Sequence, residues 1–269
     1  MTNNSGHLFV PATINGDPVG MFMLDTGSSL TVIGQGTAAR MSLPETGSGT
    51  AMGIGGPENF TYRRVQSIAI GGLQLTESRL ACLSLARFRR PIGIAVNGVV
   101  GFTALQHVPF AIDQQSSTLT VYSPESFRPP ADGRAEPMSI NGGIPAVMAQ
   151  VGDGHQVRLI VDTGDMTHLT LPRWCLDRWP DIAAVPSTGH GRSVGVGGSV
   201  DGIRTWVSVL KIFGLQLNGV QVSFDPQPFA QGRPVAIGRI GNGLLKHFRL
   251  TFDARKRVVW SQWRPGAGG

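Results

Sequence analysis

The tripeptide Asp-Thr-Gly stands twice in this chain, at 25–27 and at 162–164, each time closing an apolar run: MFMLDTG and RLIVDTG. The likeness extends well beyond the tripeptides. ATINGDPVGMFMLDTG (12–27) aligns without a gap on AQVGDGHQVRLIVDTG (149–164), GIGG (53–56) on GVGG (195–198), GLQL (72–75) on GLQL (214–217), and GFTALQHVPFAID (101–113) on GNGLLKHFRLTFD (241–253). The blocks recur in one order, so the chain holds two copies of a unit of about 115 to 130 residues. Any fold proposed for it must be built twice and must present two acids in the same way.

Each copy opens with a strand, a turn through Gly and Asp, and a second strand that ends at the aspartate. The chain has 269 residues with 37 glycines and 18 prolines, and its apolar runs are short and broken by turn formers. That pattern predicts mainly β structure. The stretch SPESFRPPADGRAEP (123–137), rich in Pro and charge, reads as the joint between copies. The expected organisation is a first lobe at 7–123, a linker at 124–136 and a second lobe at 137–264. Short helices are expected in GQGTAARM (34–41), in RWCLDRW (173–179), and after Gly101 and Gly241.

Several function classes drop out. No run of 18 or more apolar residues exists to span a membrane as a helix. The opening MTNNSGHLFV has neither the basic nor the apolar region of a secretory signal, so a cytoplasmic protein and the mature part of an exported one both remain open. Cys82 and Cys175 lack metal-ligand spacing and are expected as isolated buried thiols, with a disulfide as the alternative. The formal charge of +6 could favour anionic partners, but the arginines, densest at Arg87, Arg89 and Arg90, are scattered and not interleaved with aromatics. A solvated surface is expected there, and no nucleic-acid binding. The six histidines show no ligand spacing and no G-x-S-x-G elbow occurs. Neither a metal nor another cofactor is expected.

The repeated acids carry the chemistry. A strand fixes the carboxylate, and the following Gly lets the chain turn and bring backbone N–H groups to it. Two such loops related by a pseudo-twofold axis would bring Asp25 and Asp162 together. Like charges that close cannot both ionise easily, so the pair would share a proton. One carboxyl is then a base and the other an acid, which suits attack of an activated water on an amide without a covalent intermediate.

At these residues the chain resembles the retropepsin-like aspartic proteases, in a single-chain form with both halves fused, as in pepsin-like enzymes and some bacterial proteases. The resemblance is carried by FMLDTGSSLTVI (22–33), MSLP (41–44), GIGG (53–56) and NGVVG (97–101) and spans nearly all of residues 8 to 263. It implies two similar β-barrel-like lobes related by a pseudo-twofold axis, with the active site in the cleft between them. It implies an aspartic endopeptidase with Asp25 and Asp162 as the catalytic pair, sufficient as a monomer. Thr26 and Thr163 would exchange hydrogen bonds across the twofold, Gly27 and Gly164 would lie beside the substrate backbone, and Ser28 would bond the outer oxygen of Asp25. Val99, Val100 and Gly101 would brace the first loop. Gly53, Ile54, Gly55 and Gly56, with Gly195, Val196, Gly197 and Gly198, would form flaps over an extended peptide held by main-chain hydrogen bonds. Single-chain bacterial relatives are often exported, which points to the periplasm or the exterior, with the cytoplasm as the alternative.

The second copy departs from the pattern in two places. Asp165 stands where Ala or Ser is usual; pointing inward it would raise the pair's apparent pKa or select a basic substrate group, and pointing outward it would cap a backbone N–H. The brace reads Arg239, Ile240, Gly241, with Arg in an apolar place. AIG (236–238) offers another register, but the spacing of Gly241 to Leu245 and Asp253 repeats that of Gly101 to Leu105 and Asp113. Tyr62 and Trp206 could stand on the flaps or pack in the core. Asp113 and Asp253 are expected to open turns. A catalytically impaired peptide-binding module on the same fold is the alternative function.

Overall fold

A computed structural model describes residues 1–184, 189–226 and 238–264. Each repeat starts with the expected hairpin. His7–Ile14 pairs antiparallel with Asp17–Asp25, and Ile144–Val151 with His155–Asp162. The first turn places Asn15 and Gly16 at φ 54° and 90°, the left-handed pair that matches the twist of a two-residue hairpin. In the second hairpin strict alternation buries Val157, Leu159 and Val161 completely while the residues between them face outward.

Each Asp-bearing strand then gains a parallel neighbour from far along the chain. Gly98–Gly101 aligns on it with Leu24 opposite Val100 and Asp25 opposite Gly101. Gly238–Gly241 repeats this with Val161 opposite Ile240 and Asp162 opposite Gly241. The Gly241 register therefore holds, and of the alternative AIG segment only Gly238 lies among the described residues. Each brace also pairs antiparallel with the short strand after the loop, Val32–Gly34 or Leu169–Pro172. A long hairpin follows in both repeats: Glu45–Gly53 with Gly56–Ile70, and Gly189–Gly195 with Gly198–Ile212. The strands Leu73–Leu83 and Leu215–Asp225 return beside them.

The copies are tied together by a sheet drawn from both. Its order is Thr118–Val121, Phe110–Asp113, Phe248–Asp253, Val258–Trp263, Arg134–Asn141. Phe110 faces Phe252 and Ile112 faces Leu250 across the seam. The rings of Phe110 and Phe252 stack at 4.9 Å, with Phe102 against both. All three are fully buried, each worth about 1.5–3 kcal/mol by area removed from water. One hydrophobic cluster runs continuously through both repeats, from Leu8 to Val259. A smaller one, around Phe9, Met23, Phe60 and Ile92, belongs to the first. The molecule is thus mainly β and two-lobed, as the resemblance implied. The strand Arg134–Asn141 begins within the stretch expected as linker.

Helices are short: Gln35–Arg40, Phe102–Leu105, Trp174–Arg178 and Asn242–Leu245, all at the expected places. Two helical stretches among the described residues escaped the sequence pattern, the single turn Pro180–Ile182 and a longer one in the first repeat. Ala86–Phe88 and Arg89–Ile92 form consecutive turns that stop at Gly93, whose φ of 83° closes the helix. Both cysteines are buried free thiols. No helix among the described residues is long and apolar enough to cross a membrane. Asp113 and Asp253 each accept two backbone N–H groups of the turn that follows, from Gln115 and Ser116 and from Arg255 and Lys256.

Candidate active site

The loops 25–28 and 162–165 meet face to face at the junction of the repeats. Thr26 and Thr163 do most of the joining. The N–H of Thr26 donates to Thr163 Oγ1 at 3.0 Å, and the N–H of Thr163 to Thr26 Oγ1 at 3.1 Å. Each hydroxyl then donates onward to the opposite repeat, Thr26 to the Val161 carbonyl at 2.6 Å and Thr163 to that of Leu24 at 2.9 Å. Both residues are buried, so every one of these groups has exchanged water for a partner in the other repeat. Reciprocal bonding of this kind fixes the separation and orientation of the two strand ends.

Gly27 and Gly164 complete the contact. A methyl group on Gly27 would overlap the Asp162 carboxyl, and one on Gly164 would overlap that of Asp25. Each glycine packs on the opposite acid, so its bare Cα is what admits the two carboxyls to one site. Ser28 differs from expectation. Its hydroxyl turns to Leu30, donating to the carbonyl at 2.9 Å and accepting the N–H at 3.2 Å. What Ser28 offers Asp25 is its backbone N–H.

Both acids are enclosed. Burial pushes the Asp25 carboxyl up to about 6, against hydrogen bonds from Asp162 and from the N–H groups of Gly27 and Ser28. Burial, then the charge of Asp25, then that of Asp165, raises Asp162 well above the ordinary carboxylate range. Asp162 Oδ1 accepts the N–H groups of Gly164 at 2.9 Å and Asp165 at 3.2 Å. Asp25 Oδ1 is buried with no protein donor. Both carboxyls are thus pushed toward the protonated form.

Asp165 combines the two roles that sequence left open. It accepts the N–H of Thr167 at 2.8 Å through Oδ1, as an outward cap would. Yet its side chain is only 11% exposed, and Oδ2 takes the Nε–H of Arg239 at 2.9 Å. Burial alone would raise Asp165; the Arg239 charge and the Thr167 N–H outweigh it and keep the group ionised. Arg239 itself, in the apolar place of the brace, is 12% exposed and stands 3.7 Å from Asp162 Oδ2 and 3.8 Å from Asp225 Oδ2. Sequence marked Arg239 as a misfit; the signal it carried was that a second misfit, Asp165, needed a counter-ion.

Asn242 was not anticipated at all. Its amide donates to the carbonyls of Thr163 at 2.6 Å and Gly6 at 3.2 Å and accepts from Gln114, so it links the second loop, the N-terminal segment and the shared sheet. His7 lies on the same side: burial lowers it, against the Gly164 carbonyl and the Asp165 charge.

The hairpin tips also meet. Gly53 pairs with Gly56 and Gly195 with Gly198, leaving Ile54-Gly55 and Val196-Gly197 as the turns. The N–H of Gly55 donates to the Val196 carbonyl at 3.1 Å, and that of Gly197 to Glu58 Oε2 at 2.8 Å. Arg87 binds Glu58 Oε1 at 2.6 Å and donates to the Gly195 carbonyl at 3.3 Å. A methyl on Gly53 would strike Val196, and one on Gly197 would strike Gly56. The glycines at these tips therefore serve tip-to-tip contact as well as turning. Tyr62 stands away from the tip, edge-on to Phe60 with Arg79 over its ring, in a packing role. Trp206, on the second hairpin, pairs with Gln221 of the return strand and is 40% exposed.

Comparison with known proteins bears on the first repeat. Residues 10–104, which include Asp25, the first hairpin tip and the Gly98–Gly101 brace, match the family model described as aspartyl protease. No curated protein matches the chain in sequence.

Proposed function

From the match of residues 10–104 to the aspartyl protease family model, we propose that the chain is a single-chain endopeptidase in which Asp25 and Asp162 together activate a water. The singly protonated pair is the working form. The ionised carboxyl takes a proton from water as it attacks the scissile carbonyl, and the protonated carboxyl donates to the carbonyl oxygen, giving a neutral gem-diol. Return of protons through the same pair to the leaving nitrogen breaks the bond and restores the starting state. An extended peptide would lie beneath the tips at Gly53–Gly56 and Gly195–Gly198 and bind chiefly through its main chain.

The observation that carries this reading is the reciprocal Thr26–Thr163 lock, with each loop glycine seated on the opposite acid. It supports one two-acid site assembled within one chain, so a monomer suffices. The test is incubation of the protein, Asp25→Asn and Asp162→Asn with a diverse peptide library from pH 3 to 8, reading products by mass spectrometry. Cleavage by the parent and by neither variant supports the proposal; cleavage that survives in both variants refutes it. The ionic group of Asp165 and Arg239 beside Asp162 favours one second reading, a module that binds peptide without turnover. That reading predicts saturable peptide binding and no products at any pH.

A further inference from the structure

The two loops share a backbone plan but differ in what stands behind them. Position for position, Ser28 in the first repeat corresponds to Asp165 in the second, and Val99, opposite Met23, corresponds to Arg239, opposite Ile160. In the first repeat the hydroxyl satisfies itself on Leu30 and the brace is apolar. In the second, a full anion and a full cation replace them, bonded at 2.9 Å and nearly closed to solvent. The two changes answer each other. Asp165 without Arg239 would be a buried carboxylate without its bonded cation, while Arg239 without Asp165 would still face Asp162 and Asp225 at 3.7 and 3.8 Å.

We propose that Asp165 and Arg239 form an ionic couple that sets the proton occupancy of the Asp25–Asp162 pair from one side, making them positioning residues for the reaction. It rests on the reading of Asp25 and Asp162 as the working pair. Arg239 reaches Asp162 Oδ2 at 3.7 Å while bonded to Asp165, so the cation bears on one acid of the pair and its counter-ion lies only three residues beyond that acid. In a poorly solvated site charges at such distances act on each other far more strongly than in water. Among the described residues, the charged and titratable groups facing the couple include Asp225, which Arg239 and Arg204 both influence, and His7, which senses Asp165. Asp165 favours retention of a proton by both Asp25 and Asp162, and Arg239 opposes that at Asp162. The opposition gives the couple a signature that mere packing lacks: removing its two halves singly moves the pair in opposite directions.

The first repeat supplies the substitutions. Asp165→Ser, Arg239→Val and the double variant restore the residues that repeat tolerates, and Arg239→Lys keeps the cation. Two readouts are taken on each: the carboxyl 13C titration of Asp25 and Asp162, and the pH profile of kcat/KM on a peptide the parent cleaves. Asp165→Ser is expected to shift the acidic limb to lower pH, Arg239→Val to higher pH, the double variant to an intermediate position, and Arg239→Lys to stay near the parent. Singles that shift the same way, or that scale activity equally at all pH with no shift, overturn the couple. If Arg239→Val does not fold, Asp165→Ser against the double variant still isolates the Arg239 charge: a double variant titrating at or below Asp165→Ser overturns it. The carboxyl titration needs no substrate. Opposite shifts without any cleavage would remove the protease reading while leaving the couple, and cleavage without shifts would do the reverse.

Discussion

The Asp25 and Asp162 loops share two backbone hydrogen bonds and part company in the side chains. The N–H of Ser28 donates to the Asp25 carbonyl at 3.3 Å and that of Asp165 to the Asp162 carbonyl at 3.4 Å. The N–H of Phe102 returns to the Ser28 carbonyl at 2.8 Å, and the N–H of Asn242 to that of Asp165 at 2.6 Å. Behind this common frame the first loop is backed by Val99 and Phe102, both buried and apolar, and the second by Arg239 and Asn242. The difference teaches that the presentation of the acid belongs to the backbone, the threonines and the glycines. The electrostatic setting belongs to residues one layer further out, which can change in one copy alone.

The comparison is broken most severely at the acids themselves. Asp25→Asn and Asp162→Asn are each expected to cut kcat by about 10²–10⁴-fold or more, the range of a lost general acid or base. Survival of activity in only one of them, measured by steady-state cleavage, would show that the copies have taken unequal parts in the chemistry. The threonine lock tests the shared frame. Thr26→Val and Thr163→Val each strand a buried N–H and C=O in the opposite repeat and are expected to cost about 1–3 kcal/mol each by denaturant unfolding. Because both act on one network, the double variant should cost less than the two singles added.

The pH dependence of stability sharpens the contrast between neutral and charged surroundings. Asp25 is raised when folded, to about 6. A raised carboxyl contributes stability in full below its unfolded value of about 4, and that contribution is lost as pH rises through the folded value. The midpoint of thermal unfolding of the parent should therefore fall relative to Asp25→Asn across that interval; parallel curves for the two proteins would count against a buried, protonated Asp25. The acidic limb of cleavage belongs in the same region, near pH 6.

The smallest effects are expected at the hairpin tips, where the copies again differ. Glu58, 16% exposed, bridges Arg87 and the Gly197 N–H, whereas Asp201 on the second hairpin meets Arg192 in the open, both side chains more than half exposed. Glu58→Gln should raise KM several-fold with less change in kcat, as the tips hold each other less firmly. Asp201→Asn should leave both unchanged, since exposed pairs are screened. Equal responses would mean that the tip-to-tip contact has no part in binding.

Much of this was written in local pattern. The paired hairpins, the helices after Gly101 and Gly241, and the brace register follow from apolar periodicity and from the spacing of one copy checked against the other. What escaped was side-chain direction and long-range company. Ser28 has two good partners within a few ångströms, and only the fold selects Leu30 over Asp25. Glu58 and Arg87 lie far apart in sequence, and nothing in either stretch announces that they meet across from Gly197. Arg239 looked like a flaw in an apolar strand because a counter-ion 74 positions earlier leaves no periodic trace.

The shared sheet bears on how the molecule is made. Phe110–Asp113 finishes its pairing only with Phe248–Asp253, a strand made long after it. At ordinary elongation rates the first repeat waits on the order of ten seconds with that edge bare. An unpaired strand edge is a template for wrong partners, so mispairing is open to the chain during this interval. Asp25 likewise emerges before Asp162 and its Gly241 brace, so a chain that has yet to reach Gly241 holds no assembled pair of acids.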